Sequence, residues 1–138
     1  MRLVLDTNTV ISGLLWSNAP SRLIEAGLLG TVELFTTRAL LLELEDVLPR
    51  RKLARRVAVT GLTVEQLAAR YALLARIVEP AVIARVSADP DDDHVLACAL
   101  GAQTDIVVSG DAHLLNLKSY QGIPIVRTTE ALELIARR

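Results

Sequence analysis

"RLVLDTN", residues 2–8, runs an aliphatic stretch straight into an aspartate. Arg2 to Leu5 is too short and too uniformly apolar for an amphipathic helix, so it is expected to be a buried strand. Strands of this kind belong to parallel sheets covered on both faces, where polar alternation is not needed. Asp6 then falls at the carboxyl end of the strand, where an open α/β sheet gathers its functional groups. Water would solvate a carboxylate better than this position does. A cap on the following helix would be reason enough for a lone Asp; the other acids of the chain decide whether that suffices.

Working outward, aliphatic runs and helical periodicities alternate. Asn8 is expected to cap a helix to Leu15, and Pro20 to open a second that Gly30 closes after Leu29. "VELF" (32–35) is a second strand. From Arg38, residues Leu40, Leu41, Leu44, Val47 and Leu48 recur at spacings of three and four until Pro49 interrupts. "TVEQLAARYALLARIV" (63–78) is predicted as one helix, capped by Thr63 and ended by Pro80. Further helices are expected at 91–102, 111–117 and from "TT" at 128, with strands "DIVVS" (105–109) and "PIVR" (124–127) between them. The sum is an α/β fold: three layers, α/β/α, around a central parallel sheet of about four to five short strands.

Neither a repeat nor a dividing linker interrupts the 138 residues, so one domain spanning 1–138 is expected. With 51% apolar residues and only 3% aromatic, its core must be built from Leu, Val, Ile and Ala. One cysteine, Cys98, excludes an internal disulfide and a cysteine-based zinc cluster, and reads as an apolar packing residue. No signal peptide and no membrane-length apolar run is visible, which makes the cytoplasm the expected compartment. The formal net charge of −1 hides two opposed segments: "PRRKLARR" (49–56) and "DPDDD" (89–93).

The acids are not scattered. On the 91–102 helix, Val95, Leu96 and Ala99 follow Asp92 by three, four and seven positions, so Asp92 shares their inward face. Asp91 and Asp93 point elsewhere and suit the helix dipole; Asp89 belongs to the turn before Pro90. Glu43 sits between Leu40 and Val47 on the margin of an apolar stripe, and Glu45 is flanked in the same way by Leu41 and Leu48, so periodicity leaves the two unseparated. Asp111 follows the 105–109 strand as Asp6 follows the first. Carboxylates brought together raise one another's pKa values unless a cation neutralises them. With two histidines and one cysteine in the chain, zinc is poorly supplied, whereas Mg²⁺ or Mn²⁺ is served by carboxylates, water and phosphate oxygens. The chemistry natural to such a site is phosphodiester hydrolysis.

The fragments "LVLDTN", "LELEDVLPRRKL", "DPDDDHVLACAL" and "DIVVSGDAHLL", in this order across nearly the whole chain, resemble the PIN-domain nucleases, particularly their VapC-like branch of toxin components. The resemblance matches Asp6, Glu43, Asp92 and Asp111 to four family acids, with Asp93 as the alternative third. Asn8 matches a residue supporting the first acid, and Ser109 a position usually held by Thr or Ser. It implies a Mg²⁺- or Mn²⁺-dependent ribonuclease that leaves 5′-phosphates, frequent homodimers, and inhibition by a small antitoxin protein. It also leaves room for an RNA-processing nuclease outside any toxin–antitoxin pair, or for a non-catalytic domain that binds RNA or a partner. Two other folds place Asp after a first strand. A haloacid-dehalogenase-like phosphatase needs a second Asp at position 8, which is Asn, and a receiver domain needs acids and a late Lys at spacings this chain lacks.

Arg50, Arg51, Lys52, Arg55 and Arg56 are candidate contacts to RNA phosphates, or else a solvated helix face. His94 and His113 are expected at the surface. Leu14, Leu15 and Trp16 mark a candidate dimer or antitoxin surface, provided an apolar patch is exposed there.

Overall fold

The computed structural model describes residues 1–138. Strand β1 (Arg2–Leu5) leads into α1 (Thr7–Leu15) and α2 (Ala19–Leu28). Strand β2 (Glu33–Thr36), α3 (Arg38–Val47), a 3₁₀ turn (Arg51–Leu53), α4 (Ala54–Thr60), α5 (Val64–Leu74) and β3 (Arg76–Ile77) follow. The second half holds α6 (Pro90–Ala102), β4 (Ile106–Val108), α7 (Ala112–Leu117), β5 (Ser119–Tyr120), β6 (Ile123–Val126) and α8 (Thr128–Ala136). No helix is long and apolar enough to cross a membrane.

The sheet has the order β3-β2-β1-β4-β6-β5 and is parallel except for the β5/β6 pair. It therefore has six strands, where about four to five were expected. The additional ones, β3 and β5, are two residues each, too short to leave a hydrophobic pattern. Alternation along the strands divides the core. Leu3, Leu5, Ile106 and Val108 pack on one face with helices that include α1, α2, α5 and α8, while Val4, Phe35 and Val107 pack on the other against α6 and α7. This is the three-layer arrangement.

One helix start and one helix end differ from expectation. Asp6, not Asn8, caps α1, accepting a hydrogen bond from the Thr9 N–H. α5 has the expected Thr63 cap, which Gln66 completes to a capping box, but stops at Leu74, short of Pro80, because Arg76–Ile77 pairs with β2 instead of continuing the helix. Twelve residues, 78–89, then cross the outside of α6 in extended, irregular form.

From β1 the chain moves to β2 and β3 on one side, then returns to build β4, β6 and β5 on the other. The switch in direction lies between β1 and β4, the crevice where open α/β sheets bind ligands. Backbone bonds close the two strand ends there, from Asp6 N–H to the Val108 carbonyl (3.0 Å) and from Ser109 N–H to the Val126 carbonyl (3.0 Å).

Candidate active site

Asp6 is 7% exposed and carries two jobs at once. Oδ1 accepts from the Thr9 N–H at 2.9 Å, which caps α1; Oδ2 accepts from the Ser109 hydroxyl of the neighbouring strand end. Ser109 in turn accepts from the Asp111 N–H at 2.9 Å, and Asp111 caps α7 by accepting from the His113 N–H at 2.7 Å. One serine thus ties the ends of β1 and β4 together through their acids.

Asp92 lies on the inward side of the first turn of α6, as helical phase requires, and is 6% exposed. Its Oδ2 accepts from the Ser87 hydroxyl at 2.9 Å. Burial raises the pKa of Asp92, the Ser87 hydrogen bond lowers it, and the charges of Asp111 and Asp89 raise it again. Glu43 is half-buried on α3. Burial first, and then the charge of Asp91, push its carboxyl up to about 7, against the opposing pull of the nearby Thr7 hydroxyl.

All four acids meet at one cavity. Its walls carry Asp6, Glu43, Asp92 and Asp111 together with Asp89 and Asp91, the neutral Thr7 and Asn8, and a single apolar side chain, Val95. The volume is about 50 Å³, room for an ion with a few waters and far too small for a nucleoside. The two ion pairs of the protein, Arg50–Asp46 and Arg76–Glu33, lie elsewhere, so no lysine or arginine neutralises these carboxylates. No three of the acids stand close enough together to enclose an ion by themselves. A polar groove lined by Asn8, Thr9, Ser12, Pro20, Gly110 and Asp111 continues from the cavity, sharing Asn8 and Asp111 with it.

Several residues go elsewhere. Asp93 accepts the backbone N–H groups of Val86 and Ser87 (2.9 Å for the latter) and so anchors the 78–89 segment. Glu45 is exposed, in a shallow depression with Arg38, Leu41, Leu42 and Ile77. Of the basic run, Arg51, Lys52 and Arg55 are exposed and Arg50 pairs with Asp46 at 3.4 Å. Arg56 is half-buried. It donates to the Leu15 carbonyl at 2.7 Å and stacks 5.0 Å from the centre of the Trp16 ring, complementing the C-terminal end of α1. His113 is exposed as expected, but His94, on α6, is half-buried. Cys98 is fully buried, and burial pushes its thiol up to about 12.

Leu15 is core, whereas Leu14 lines an apolar groove with Ile24, Leu28, Leu73 and Leu74, in which Leu28 is 74% and Leu73 88% exposed. The apolar patch lies between α2 and α5; Trp16 is exposed but is not among its lining residues. Sequence reasoning missed four groups at the cavity: Asp89, Asp91, Thr7 and, through its bond to Asp92, Ser87. In sequence Asp91 suits the helix dipole, and helical phase alone does not reveal that Glu43 faces it from another helix.

The sequence matches the PIN domain family over residues 2–113, from the first residue of β1 into α7. No curated protein gives a sequence match.

Proposed function

Because the chain belongs to the PIN domain family, whose members are in general metal-dependent nucleases, we propose that residues 1–138 form one cytoplasmic endoribonuclease domain, dependent on Mg²⁺ or Mn²⁺. We further propose that it is the toxin of a type II toxin–antitoxin pair. The observation that carries the nuclease reading is the meeting of Asp6, Glu43, Asp92 and Asp111 at one cavity without a single basic partner. Such a concentration of negative charge fits a hard divalent ion. Mg²⁺ keeps several waters and takes only one or two carboxylates directly, so the acids lining the cavity suffice as a donor set.

When bound, the cation supplies charge neutralisation for the phosphate and an activated water for in-line attack. The residues of the chain prepare that event. Ser109 and the α1 N-terminus hold Asp6 in place as an acceptor, Ser109 also fixes the Asp111 backbone, and Asp92 presents its carboxylate from α6. Glu43 completes the acidic wall from α3. The adjoining polar groove supplies neutral hydrogen-bonding side chains for a nucleotide beside the scissile phosphate.

For the partner, the apolar groove between α2 and α5 supports docking of a second copy or of an antitoxin segment, and light scattering of the purified protein with and without a co-expressed neighbouring small protein tests this. The nuclease reading is tested on labelled single-stranded RNA in Mg²⁺ or Mn²⁺, with EDTA and Asp6→Asn as parallel controls. The expected result is cleavage leaving 5′-phosphates, abolished in both controls. Equal behaviour of wild type and Asp6→Asn would overturn it and favour a non-catalytic binding domain.

A further inference from the structure

The 78–89 segment reaches the acidic cavity through Asp89, which lines it, and through Ser87, which bonds to a lining acid. The Ser87 hydroxyl donates to Asp92 Oδ2 at 2.9 Å and accepts from the Asp89 N–H at 3.2 Å. This repeats, on the other side of the cavity, what Ser109 does with Asp6 and the Asp111 N–H. Each serine gives its proton to a buried acid and receives the N–H of another acid two residues further on.

The seat of the segment does not depend on that hydroxyl. Asp93 holds the Val86 and Ser87 N–H groups, Ala81 N–H donates to the Ala97 carbonyl at 3.0 Å, and Arg85 braces the turn through the Ser87 and Ala88 carbonyls. The bond from Ser87 to Asp92 is therefore surplus to anchoring. Its effect is on Asp92, which lines the cavity: the bond restrains Oδ2, while Oδ1 meets no protein donor.

We propose that Ser87 is a positioning residue for the cation site, holding Asp92 at a fixed angle to the cavity from the crossing segment. The inference rests on the metal-dependent reading above. Groups that orient metal ligands in this way are worth roughly tenfold or more in metal affinity.

The test is Mn²⁺ binding to the intact protein, followed by the electron paramagnetic resonance signal of the free ion, for wild type, Ser87→Ala, Ser87→Thr and Asp6→Asn. Thermal unfolding without metal is recorded for each. Ser87→Ala is expected to weaken Mn²⁺ binding about tenfold with the metal-free melting temperature nearly unchanged, and Ser87→Thr, which keeps the hydroxyl, to stay near wild type. Ser87→Ala binding Mn²⁺ like wild type while Asp6→Asn loses it would overturn the role of Ser87 and leave the metal site standing. Ser87→Thr binding as poorly as Ser87→Ala while still folded would also overturn it. A wild type that binds no Mn²⁺ would remove the metal reading, and the Ser87 proposal with it.

Discussion

Glu43 shows how one side chain can carry a cost of the site into the stability of the fold. Its carboxyl titrates near 7 in the folded protein because burial and Asp91 disfavour the charge, against 4.5 for the ordinary group. Between these two values the native state binds more protons than the unfolded chain, so stability contributed by this group is full below pH 4.5 and falls as pH rises towards 7. Glu43→Gln has no such titration. Measured without metal, the melting temperature of Glu43→Gln should gain on wild type steadily from about pH 4.5 to about pH 7 and then level off. A difference that stays flat over that range would mean Glu43 is not perturbed. Sequence periodicity could not separate Glu43 from Glu45, because both flank apolar positions of α3; what separates them is the three-dimensional neighbour, α6, whose Asp91 faces one and not the other. Asp6 and Asp92, by contrast, were legible from one strand end and one helical phase, since each answer needs only its own element.

At the scale of elements, the meeting of α6 with the 78–89 segment depends on a missing side chain. A Cβ at Gly101 would lie 2.3 Å from the Glu79 carbonyl oxygen, 3.0 Å from the Ala81 nitrogen and 3.2 Å from the Pro80 Cα. All three are backbone atoms that cannot rotate away, so the segment itself would have to shift. Gly101→Ala should therefore cost about 1–3 kcal/mol in denaturant unfolding despite the better helix propensity of Ala. It should also speed hydrogen exchange at the Ala81 amide, whose bond to Ala97 holds the crossing. Unchanged stability and exchange would show that the crossing is not seated as described. The strands that matter most, β1 and β4, were legible as short aliphatic runs bounded by polar residues. β3 was not, because Tyr71, Leu74, Ile77 and Val78 continue the helical spacing of α5 and only pairing with β2 stops that helix at Leu74. β5 exists through its partner β6 alone.

For the whole molecule, a net charge of −1 conceals a separation that the proposed substrate must negotiate. A polyanion approaching the acidic cavity is repelled until a cation is present, so the attraction for RNA must come from another part of the surface. All five basic residues of 50–56 were candidates from sequence, where a run of charges shows nothing of how each is used. The fold uses Arg56 to close the end of α1 against Leu15 and Trp16, and sets Arg50 beside Asp46. Arg51, Lys52 and Arg55 are left exposed with no acidic partner. If these three contact phosphates, each contributes about 0.7 to the slope of log affinity against log salt for single-stranded RNA. Replacing all three with glutamine in an Asp6→Asn background, where cleavage does not confuse the measurement, should weaken binding at low salt and flatten the slope by about 2. Weaker binding with an unchanged slope would mean that the run supports the RNA surface without touching phosphate. No change in either would make it a solvated face, and the attraction would then have to come through the cation held by the acids themselves.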